Sequence, residues 1–349
     1  MDSKIIIFVI ALFLLVNFST ASIRVTLPEI LEPFDMVIDK GQMFISEKET
    51  VYIYSLEDFK LVKKFGTKGE GPKEFMVTYG WSVIVNVHQS ELVCGSIGKI
   101  SVFTRDGVFK KVVKPAPYSI LCHRENIEPL GDQYVGIRNK RTEKFYEFAA
   151  TIYDSNFNGV KEFYQFDANI WRRGKKYNPV KYTQYFRKIY VYGDNIFVNT
   201  QNDRGEILVF ESTGKQLYSI SHEYERVKFT EKDKKNWLAD FSIESLKPIY
   251  QRLKDRWIYP DNFPAWQKFQ IVDDKIYIQT YKRNKEGENK FFIMDLKGKL
   301  LKKLEVPLAE IYAFTPYPYT INRGKIYQLV ENKNTEEWEL HIKEIKGDL

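Results

Sequence analysis

A short polar turn recurs along this chain at nearly regular intervals, and each copy lies between two runs of β-branched and aromatic residues. The copies are Glu57-Asp58, Asp106-Gly107, Asn158-Gly159, Thr213-Gly214 and Lys297-Gly298. The first three intervals are about 50 residues, a length that propeller-type repeats have, and the fourth is longer by roughly 34 residues. The spacing therefore predicts a row of similar modules with one insertion.

Each module contains four short runs of strand-forming residues. In the first module these runs are residues 34–39, 42–46, 51–54 and 61–65. Runs of this length and composition, separated by polar turns, predict a small antiparallel sheet. The chain from residue 22 onward holds six such modules.

The sixth module lacks a fourth run, and a spare run stands at the other end of the chain. Residues 319–322, 325–330 and 338–345 supply three strands, whereas residues 23–30 precede the first module. If the leading run completes the last sheet, two exposed sheet edges disappear at once. We therefore predict an all-β, six-bladed β-propeller over residues 22–349, with four-stranded blades, closed by its N-terminal strand. The alternative, an open row of sheets, leaves an apolar edge at each end.

Residues 228–263 account for the long interval and do not follow the strand pattern. Thr230 and Asp233 have the spacing of a helix-capping box, and Trp237 begins a set of apolar residues at helical spacing. A second stretch carries Pro248 in its first turn, where proline is tolerated, and ends at Trp257. We predict two short amphipathic helices between blades 4 and 5. They either form a lid that places Trp237 or Trp257 against a ligand, or bury an apolar stripe on the blades, which is the usual role of such helices.

Residues 65–75 read Phe-Gly-Thr-Lys-Gly-Glu-Gly-Pro-Lys-Glu-Phe, with three glycines and a proline between two predicted strands. Glycine accepts positive φ and proline fixes φ, so we expect a shaped turn. The pattern Gly-x-Lys-Gly-Glu-Gly-Pro-x-Glu-Phe resembles that of the six-bladed, NHL-repeat-like β-propellers, a family of secreted bacterial proteins of unknown function. The resemblance extends over the mature chain, although only the first blade has the full motif. It implies the fold and supplies no catalytic residues.

The first 21 residues have the pattern of a secretory signal peptide. Lys4 precedes an apolar run, residues 5–18, which is shorter than the about 20 residues that span a bilayer. Ser19 and Ala21 are the small residues expected before a cleavage site. We therefore expect a secreted or periplasmic protein that begins at Ser22, without a membrane span. A retained anchor is the alternative, because Asp2 weakens the positive start.

Charge and cysteine content argue against several classes of protein. The formal net charge of +7 is modest for 349 residues and does not indicate a nucleic-acid binder. Two cysteines, Cys94 and Cys122, are too few for a disulfide framework or a four-ligand zinc site. They either pair in an oxidising compartment or remain two buried thiols.

Residues 161–192 form the most basic part of the chain, with eight lysine and arginine residues against Glu162 and Asp167. Aromatic residues are interleaved with these cations. Cations donate to carboxylate, sulfate or phosphate, and aromatic faces stack on sugars or bases. The composition predicts a subsite for an anion or a glycan, with candidate contacts at Trp171, Arg172, Arg173, Lys175, Lys176 and Tyr177. The alternative is a solvated basic loop together with ordinary aromatic residues of the strands.

Propeller topology predicts that this segment and the helical insert share one face. The longest irregular segments, residues 114–124, 165–182 and 228–263, all join an outer strand to the next inner strand, and such connections emerge on the same side. Loops on a rigid scaffold are where binding residues concentrate. We therefore predict a non-catalytic binding or scaffold protein, expected to be a monomer without a cofactor, that presents this face to a protein, a glycan or an anionic ligand.

The alternative function is a metal-dependent hydrolase or lyase similar to the lactonase type of six-bladed propeller. Such a site needs three or more ligands from inner strands of different blades around one cation. The residues available for it are Asp39, Asn86, His88, Glu128 and Asp273. The four histidines are scattered, and no pair has metal-ligand spacing.

Overall fold

The structure is a computed structural model of the 349-residue chain. It describes residues 23–77, 82–88, 90–114, 127–141, 146–166, 176, 189–200, 204–240, 247–312 and 315–345. These residues form six four-stranded antiparallel sheets and one two-stranded hairpin. The prediction of an all-β, six-bladed propeller is confirmed.

The first strand completes the last blade, as predicted. β1 (Ile23–Thr26) pairs antiparallel with β26 (Glu337–Glu344), so that Ile23 lies opposite Ile342 and Thr26 lies opposite Glu339. The strand is shorter than the predicted run of residues 23–30. The amide of Leu27 donates to the Trp338 carbonyl at 2.8 Å, and the next residue, Pro28, has no amide hydrogen with which to continue the ladder.

The remaining strands follow in chain order, from the inner to the outer edge of each blade. Blade 1 contains β2 (Asp35–Asp39), β3 (Gln42–Glu47), β4 (Thr50–Ser55) and β5 (Leu61–Phe65). Blade 2 contains β6 (Ile84–His88), β7 (Glu91–Ser96), β8 (Lys99–Thr104) and β9 (Phe109–Val113). Blade 3 contains β10 (Ile127–Leu130), β11 (Gln133–Arg141), β12 (Tyr146–Tyr153) and β13 (Gly159–Phe166).

Blade 4 contains β14 (Ile189–Tyr192), β15 (Asn195–Asn199), β16 (Ile207–Glu211) and β17 (Gln216–Ile220). The insert follows, with helix α1 (Glu231–Asp240), helix α2 (Lys247–Leu253) and a 3-10 turn (Lys254–Arg256). Blade 5 contains β18 (Lys268–Val272), β19 (Lys275–Arg283), β20 (Asn289–Asp295) and β21 (Leu300–Val306). A small hairpin that we did not predict, β22 (Glu310–Tyr312) and β23 (Thr315–Pro316), leads to blade 6, which contains β24 (Tyr319–Asn322), β25 (Lys325–Asn332), β26 and β1.

Apolar side chains fill the junctions between neighbouring blades. Within the described part of the chain, one buried cluster lies at each of the six junctions. At the closing junction, Trp338 and Leu340 of blade 6 belong to the same cluster as Ile45 and Tyr54 of blade 1. Burial of apolar surface between blades is the main force that holds such a ring together.

Polar side chains on the inner strands add bonds between blades. Asn86 donates to the Ile127 carbonyl at 2.6 Å, Tyr190 donates to the Phe269 carbonyl, and the side-chain oxygen of Gln270 accepts from the Ile321 amide at 3.0 Å. Each inner strand contacts the inner strands of the two adjacent blades, which closes the ring.

The recurring turn between the third and fourth strands has one conserved backbone feature within the chain. The residue two positions before each outer strand has positive φ, at Phe59 (56°), Gly107 (75°), Phe157 (62°), Gly214 (75°) and Gly298 (88°). Positive φ turns the chain back tightly and is least costly for glycine. This explains why glycine recurs at that position in three of the five copies, whereas Phe59 and Phe157 adopt the same conformation without it.

The glycine-rich motif is a structural connection between blades 1 and 2. Gly66 has φ of 91°, and a Cβ there would lie 2.6 Å from a ring carbon of Phe75, which is fully buried in the junction. The ammonium of Lys99, which is 4% exposed, donates to the carbonyls of Glu70 at 3.1 Å and Gly71 at 2.5 Å. The motif residues are therefore engaged in holding the loop on blade 2.

Cys94 is a free cysteine on β7, with no exposed surface, in the junction of blades 1 and 2. Burial raises the pKa of its thiol well above the usual value. This fits the alternative of a buried thiol, while Cys122 lies outside the described residues. Among the described residues, no helix has the length and apolar character needed to cross a membrane.

Candidate functional site

Consecutive blades are joined on one face of the propeller, which we call the loop face. In every blade the chain crosses the sheet four times, so an outer strand ends on the same face at which the next inner strand begins. Strands β13 and β17 end on this face, and strands β14 and β18 begin on it. The opposite side, which we call the turn face, carries tight turns such as residues 193–194 and 273–274.

The insert between blades 4 and 5 rises from the loop face on a short two-stranded neck. The amide of Phe229 donates to the Asp261 carbonyl at 2.9 Å, and the amide of Phe263 donates to the Val227 carbonyl at 2.8 Å. Above the neck, Thr230 caps α1: its hydroxyl accepts from the Asp233 amide at 3.2 Å, and the Asp233 carboxylate accepts in return from the Thr230 amide at 2.8 Å. The predicted helix start is thus found in the structure.

Aromatic side chains form the interior of the insert. The Trp237 ring packs edge-on against Trp257 at 4.8 Å between centroids and against Tyr259 at 6.0 Å. Phe229 lies parallel to Tyr259, and Phe263 stacks on Tyr281 of β19 at 4.5 Å. These contacts connect the helices to blade 5.

The two tryptophans predicted as ligand contacts differ in accessibility. Trp237 is only 6% exposed, and its ring is used within the aromatic interior. Trp257 is partly exposed. This packing favours the interpretation of the insert as a cap over its interpretation as a lid, because burial leaves little surface of Trp237 for a ligand to contact.

Two clefts open beside the insert. The first, which we call the helix cleft, has a volume of about 530 Å³ and lies at the start of α1, lined by residues 228–231, Lys234 and residues 259–262. Several of its polar groups bond to each other. Lys234 pairs with Glu231 at 3.7 Å and stands 4.6 Å above the Tyr259 ring, while Thr230 is occupied by the helix cap.

The second cleft, which we call the blade cleft, has a volume of about 480 Å³ and lies where the chain leaves β17. It is lined by Arg204, Ser221, His222, Glu223, Tyr224, Arg226, Phe263 and Ala265. Side chains of the segment 221–224 alternate, with Ser221 and Glu223 exposed and His222 and Tyr224 partly buried.

The partly buried rings of the blade cleft are held in place by blade 5. His222 contacts Tyr224 and Phe292 edge-on, each at 5.4 Å, and Tyr224 stacks on Phe292 at 5.6 Å. Burial raises the pKa of Tyr224, so its hydroxyl keeps its proton at neutral pH. The cleft therefore has a fixed aromatic wall with exposed charged groups beside it.

Sequence reasoning missed the blade cleft. In the sequence, His222 is only one of four scattered histidines, and no pattern marks Arg226. The available signal was the alternation of polar and aromatic residues in the stretch Ser-His-Glu-Tyr at 221–224, which directs the two rings to one side.

Most of the predicted basic-aromatic subsite lies outside the described residues. This holds for Trp171, Arg172, Arg173, Lys175 and Tyr177, whereas Lys176 is described and exposed. At the end of the same segment, Tyr190 is buried and bonds to blade 5, and the Tyr192 hydroxyl donates to the Asp274 carboxylate at 3.1 Å. These two tyrosines act as structural strand residues, in agreement with the alternative that we gave for the aromatic part.

Three of the five side chains considered for a metal-dependent enzyme take part in contacts between blades. Asp39 pairs with Arg105, Asn86 donates to the Ile127 carbonyl, and His88 bonds to the Gly131 carbonyl at 2.9 Å. Glu128 is buried, and Asp273 lies in a turn with φ of 52°. Within the described ranges, no group of three or more His, Cys, Asp or Glu side chains is arranged to hold a metal ion.

Comparison with solved structures finds matches at low identity and with TM-scores below 0.5. A member of the DUF4221 family from Bacteroides vulgatus is 10% identical, with a TM-score of 0.48, over 93% of this chain and 97% of that one. A luciferin-regenerating enzyme is 8% identical, with a TM-score of 0.43, over 92% and 95%. The β-propeller domain of Cps50 (Swd1) from Myceliophteria thermophila is 14% identical, with a TM-score of 0.39, over 94% and 99%.

These likenesses concern the propeller fold alone. No protein-family profile matches the chain. No curated protein matches it by sequence. The class that the structure defines is therefore a β-propeller scaffold.

Proposed function

We propose that this chain is an extracytoplasmic, non-catalytic binding scaffold, similar to the secreted NHL-like propellers, whose loop face holds a protein, a glycan or an anionic ligand. The observation that carries the proposal is the position of the insert and of both clefts on the loop face. The two ends of the basic segment belong to β13 and β14. Strand β13 ends on the loop face, and strand β14 begins on it.

The charge of the basic segment supports an anionic ligand. The eight cations and two carboxylates within residues 161–192 give a net charge of 8 − 2 = +6, most of the total of +7. A positive surface of this kind attracts acidic ligands and raises their rate of encounter. The described connections on the turn face are tight turns of a few residues, and their lysines are dispersed over several blades.

The extracytoplasmic location follows from the signal-peptide pattern of residues 1–21. The test is N-terminal sequencing of protein secreted by the native host, and a mature chain that begins at Ser22 is expected. Because β1 begins on the turn face, a leader retained as an anchor would leave from the side opposite the loop face and keep that face accessible.

The binding function is tested by screening the mature chain against glycans and small anions. Each hit is then measured with a variant in which Arg172, Arg173, Lys175 and Lys176 are replaced by serine. A charge-matched control replaces four lysines on or beside turn-face loops, Lys60, Lys215, Lys297 and Lys299. We expect the first variant to lose hits that the control keeps.

Two results would contradict the proposal. One is a set of hits that both fourfold variants retain equally. The other is one tightly bound divalent ion per purified chain together with hydrolysis or elimination of a lactone or polysaccharide, which would assign the chain to the enzyme alternative.

A further inference from the structure

Five polar side chains of the blade cleft have no hydrogen-bonding or ionic partner among the residues that the structure describes. Ser221, His222, Glu223, Tyr224 and Arg226 make no side-chain hydrogen bond or ion pair with any residue that the structure describes. The adjacent Glu225, which does not line the cleft, does pair with Lys282. In the helix cleft, by contrast, Lys234, Glu231 and Thr230 bond within the insert. Unused donors and acceptors around one cavity are what a ligand site offers before its ligand binds.

These groups set requirements on the ligand. A guanidinium only donates, so Arg226 calls for an anionic acceptor, and a carboxylate pairs with it by two parallel bonds. An ionised carboxylate only accepts, so Glu223 calls for donors on the same ligand and repels a simple anion. The Tyr224 hydroxyl and the His222 ring nitrogens serve either role.

The size and shape of the blade cleft narrow the class of ligand further. A volume of about 480 Å³ is far more than phosphate or sulfate fills and is in the range of sites for small organic ligands. The rings of His222 and Tyr224, which pack edge-on against each other, give one wall an aromatic character. A ring with hydroxyl groups, a carboxylate and a C–H face satisfies all of these features together.

We propose that the blade cleft binds an acidic saccharide through its carboxylate at Arg226 and its hydroxyl groups at Glu223, His222 and Tyr224. This inference rests on the proposed function, since it specifies the ligand class and a second subsite on the same loop face. It does not depend on the residues of the basic segment, which makes the two separable by mutation.

The experiment is calorimetric titration of the full mature chain with D-galacturonate oligosaccharides, with neutral D-galactose oligosaccharides of equal length as the comparison. We expect the acidic ligand to bind at least about tenfold more tightly, because only its carboxylate can form charge-assisted hydrogen bonds with the Arg226 guanidinium. Arg226→Gln should weaken binding by at least about tenfold, and Glu223→Gln should weaken it by less.

The matched control is Lys228→Gln. Lys228 is exposed and lies two residues after Arg226, but it lines the helix cleft and not the blade cleft. This substitution should change affinity by less than about twofold, as expected for a screened surface charge. Since Arg226 and Lys228 are both exposed, neither variant should alter the thermal transition of the fold.

Four outcomes would overturn the inference. Equal affinity for acidic and neutral sugars removes the role of the carboxylate. Unchanged binding in Arg226→Gln, with loss in the fourfold basic-segment variant, refutes this cleft while the binding function stands. If free amino acids bind in place of the sugars and Arg226→Gln abolishes that binding, the ligand class is wrong. If every variant binds as tightly as the wild type, both proposals are refuted.

Discussion

The indole nitrogen of Trp338 donates a hydrogen bond of 2.7 Å to the carbonyl oxygen of Leu31, 307 residues earlier in the chain. Both residues lie at the junction between blades 6 and 1, where the last blade is completed by the first strand. This bond links the two ends of the chain at the loop face.

Replacing that indole tests how much the bond contributes to closure. Trp338→Phe keeps most of the buried ring and removes the donor, so we expect a loss of about 1 kcal/mol in the free energy of unfolding. The measurement is urea denaturation followed by far-UV circular dichroism. An unchanged midpoint would show that the bond does not stabilise the closed ring.

Two glycines with positive φ separate backbone strain from crowding. Gly66→Ala places a Cβ 2.6 Å from Phe75, whereas at Gly41 (φ 79°) no atom lies within 4 Å of the added carbon. We expect Gly41→Ala to cost about 1–2 kcal/mol from its φ alone and Gly66→Ala to cost more than about 3 kcal/mol. Denaturation midpoints of the two variants give the comparison, and equal losses would refute the structural role of the motif.

Acid should weaken the closing blade through Glu339. A hydrogen bond from His341, with a second from Asn332, lowers the pKa of the Glu339 carboxyl below its usual value. A lowered pKa in the folded state contributes stability that is complete above the unfolded pKa and is lost as pH falls through the folded one. We therefore expect the wild type to lose more stability than Glu339→Gln between about pH 5 and pH 3.

The control for this pH effect is Glu344→Gln on the same strand, where an exposed carboxylate makes only a 3.7 Å pair with Lys325. Its denaturation midpoints should follow those of the wild type across the same pH range. If Glu339→Gln also follows the wild type, the bond from His341 has no influence on acid stability.

The insert should depend on Trp237 for its own structure. Trp237→Ala removes a ring that is 6% exposed, a change that typically costs about 3–5 kcal/mol. The aromatic side chains of the insert connect its helices to blade 5. We therefore expect faster amide exchange than in the wild type in residues 227–263, while the blades keep their protection. Trp257→Ala, at a partly exposed position, should have a smaller effect; loss of protection throughout the ring would contradict this separation.

The sequence predicted the fold well because its signals are local and repeated. The turn residues at Gly107, Gly214 and Gly298 have the positive φ that their glycines indicated. The third copy differs in detail: Phe157, one residue before the predicted turn pair, takes the positive φ and stacks on Tyr134 at 4.2 Å. Tertiary packing stabilises a conformation there that residue type alone does not indicate.

The blade cleft could not be predicted in the same way, since its walls come from distant parts of the chain. Arg204 follows β15, residues 221–226 follow β17, and Phe263 belongs to the returning arm of the insert. Only the folded neck between Val227 and Phe263 brings these together. Composition identified a basic segment, but it gave no information on which neutral and acidic groups would share a cavity.

Amide hydrogen exchange of the mature chain, with and without the strongest hit of the glycan and anion screen, tests most directly whether the loop face binds. We expect slower amide exchange on ligand binding in residues 161–192 or 221–229. Exchange should be unchanged in the turns at residues 193–194, 212–215 and 296–299. Protection confined to those turns would contradict this prediction.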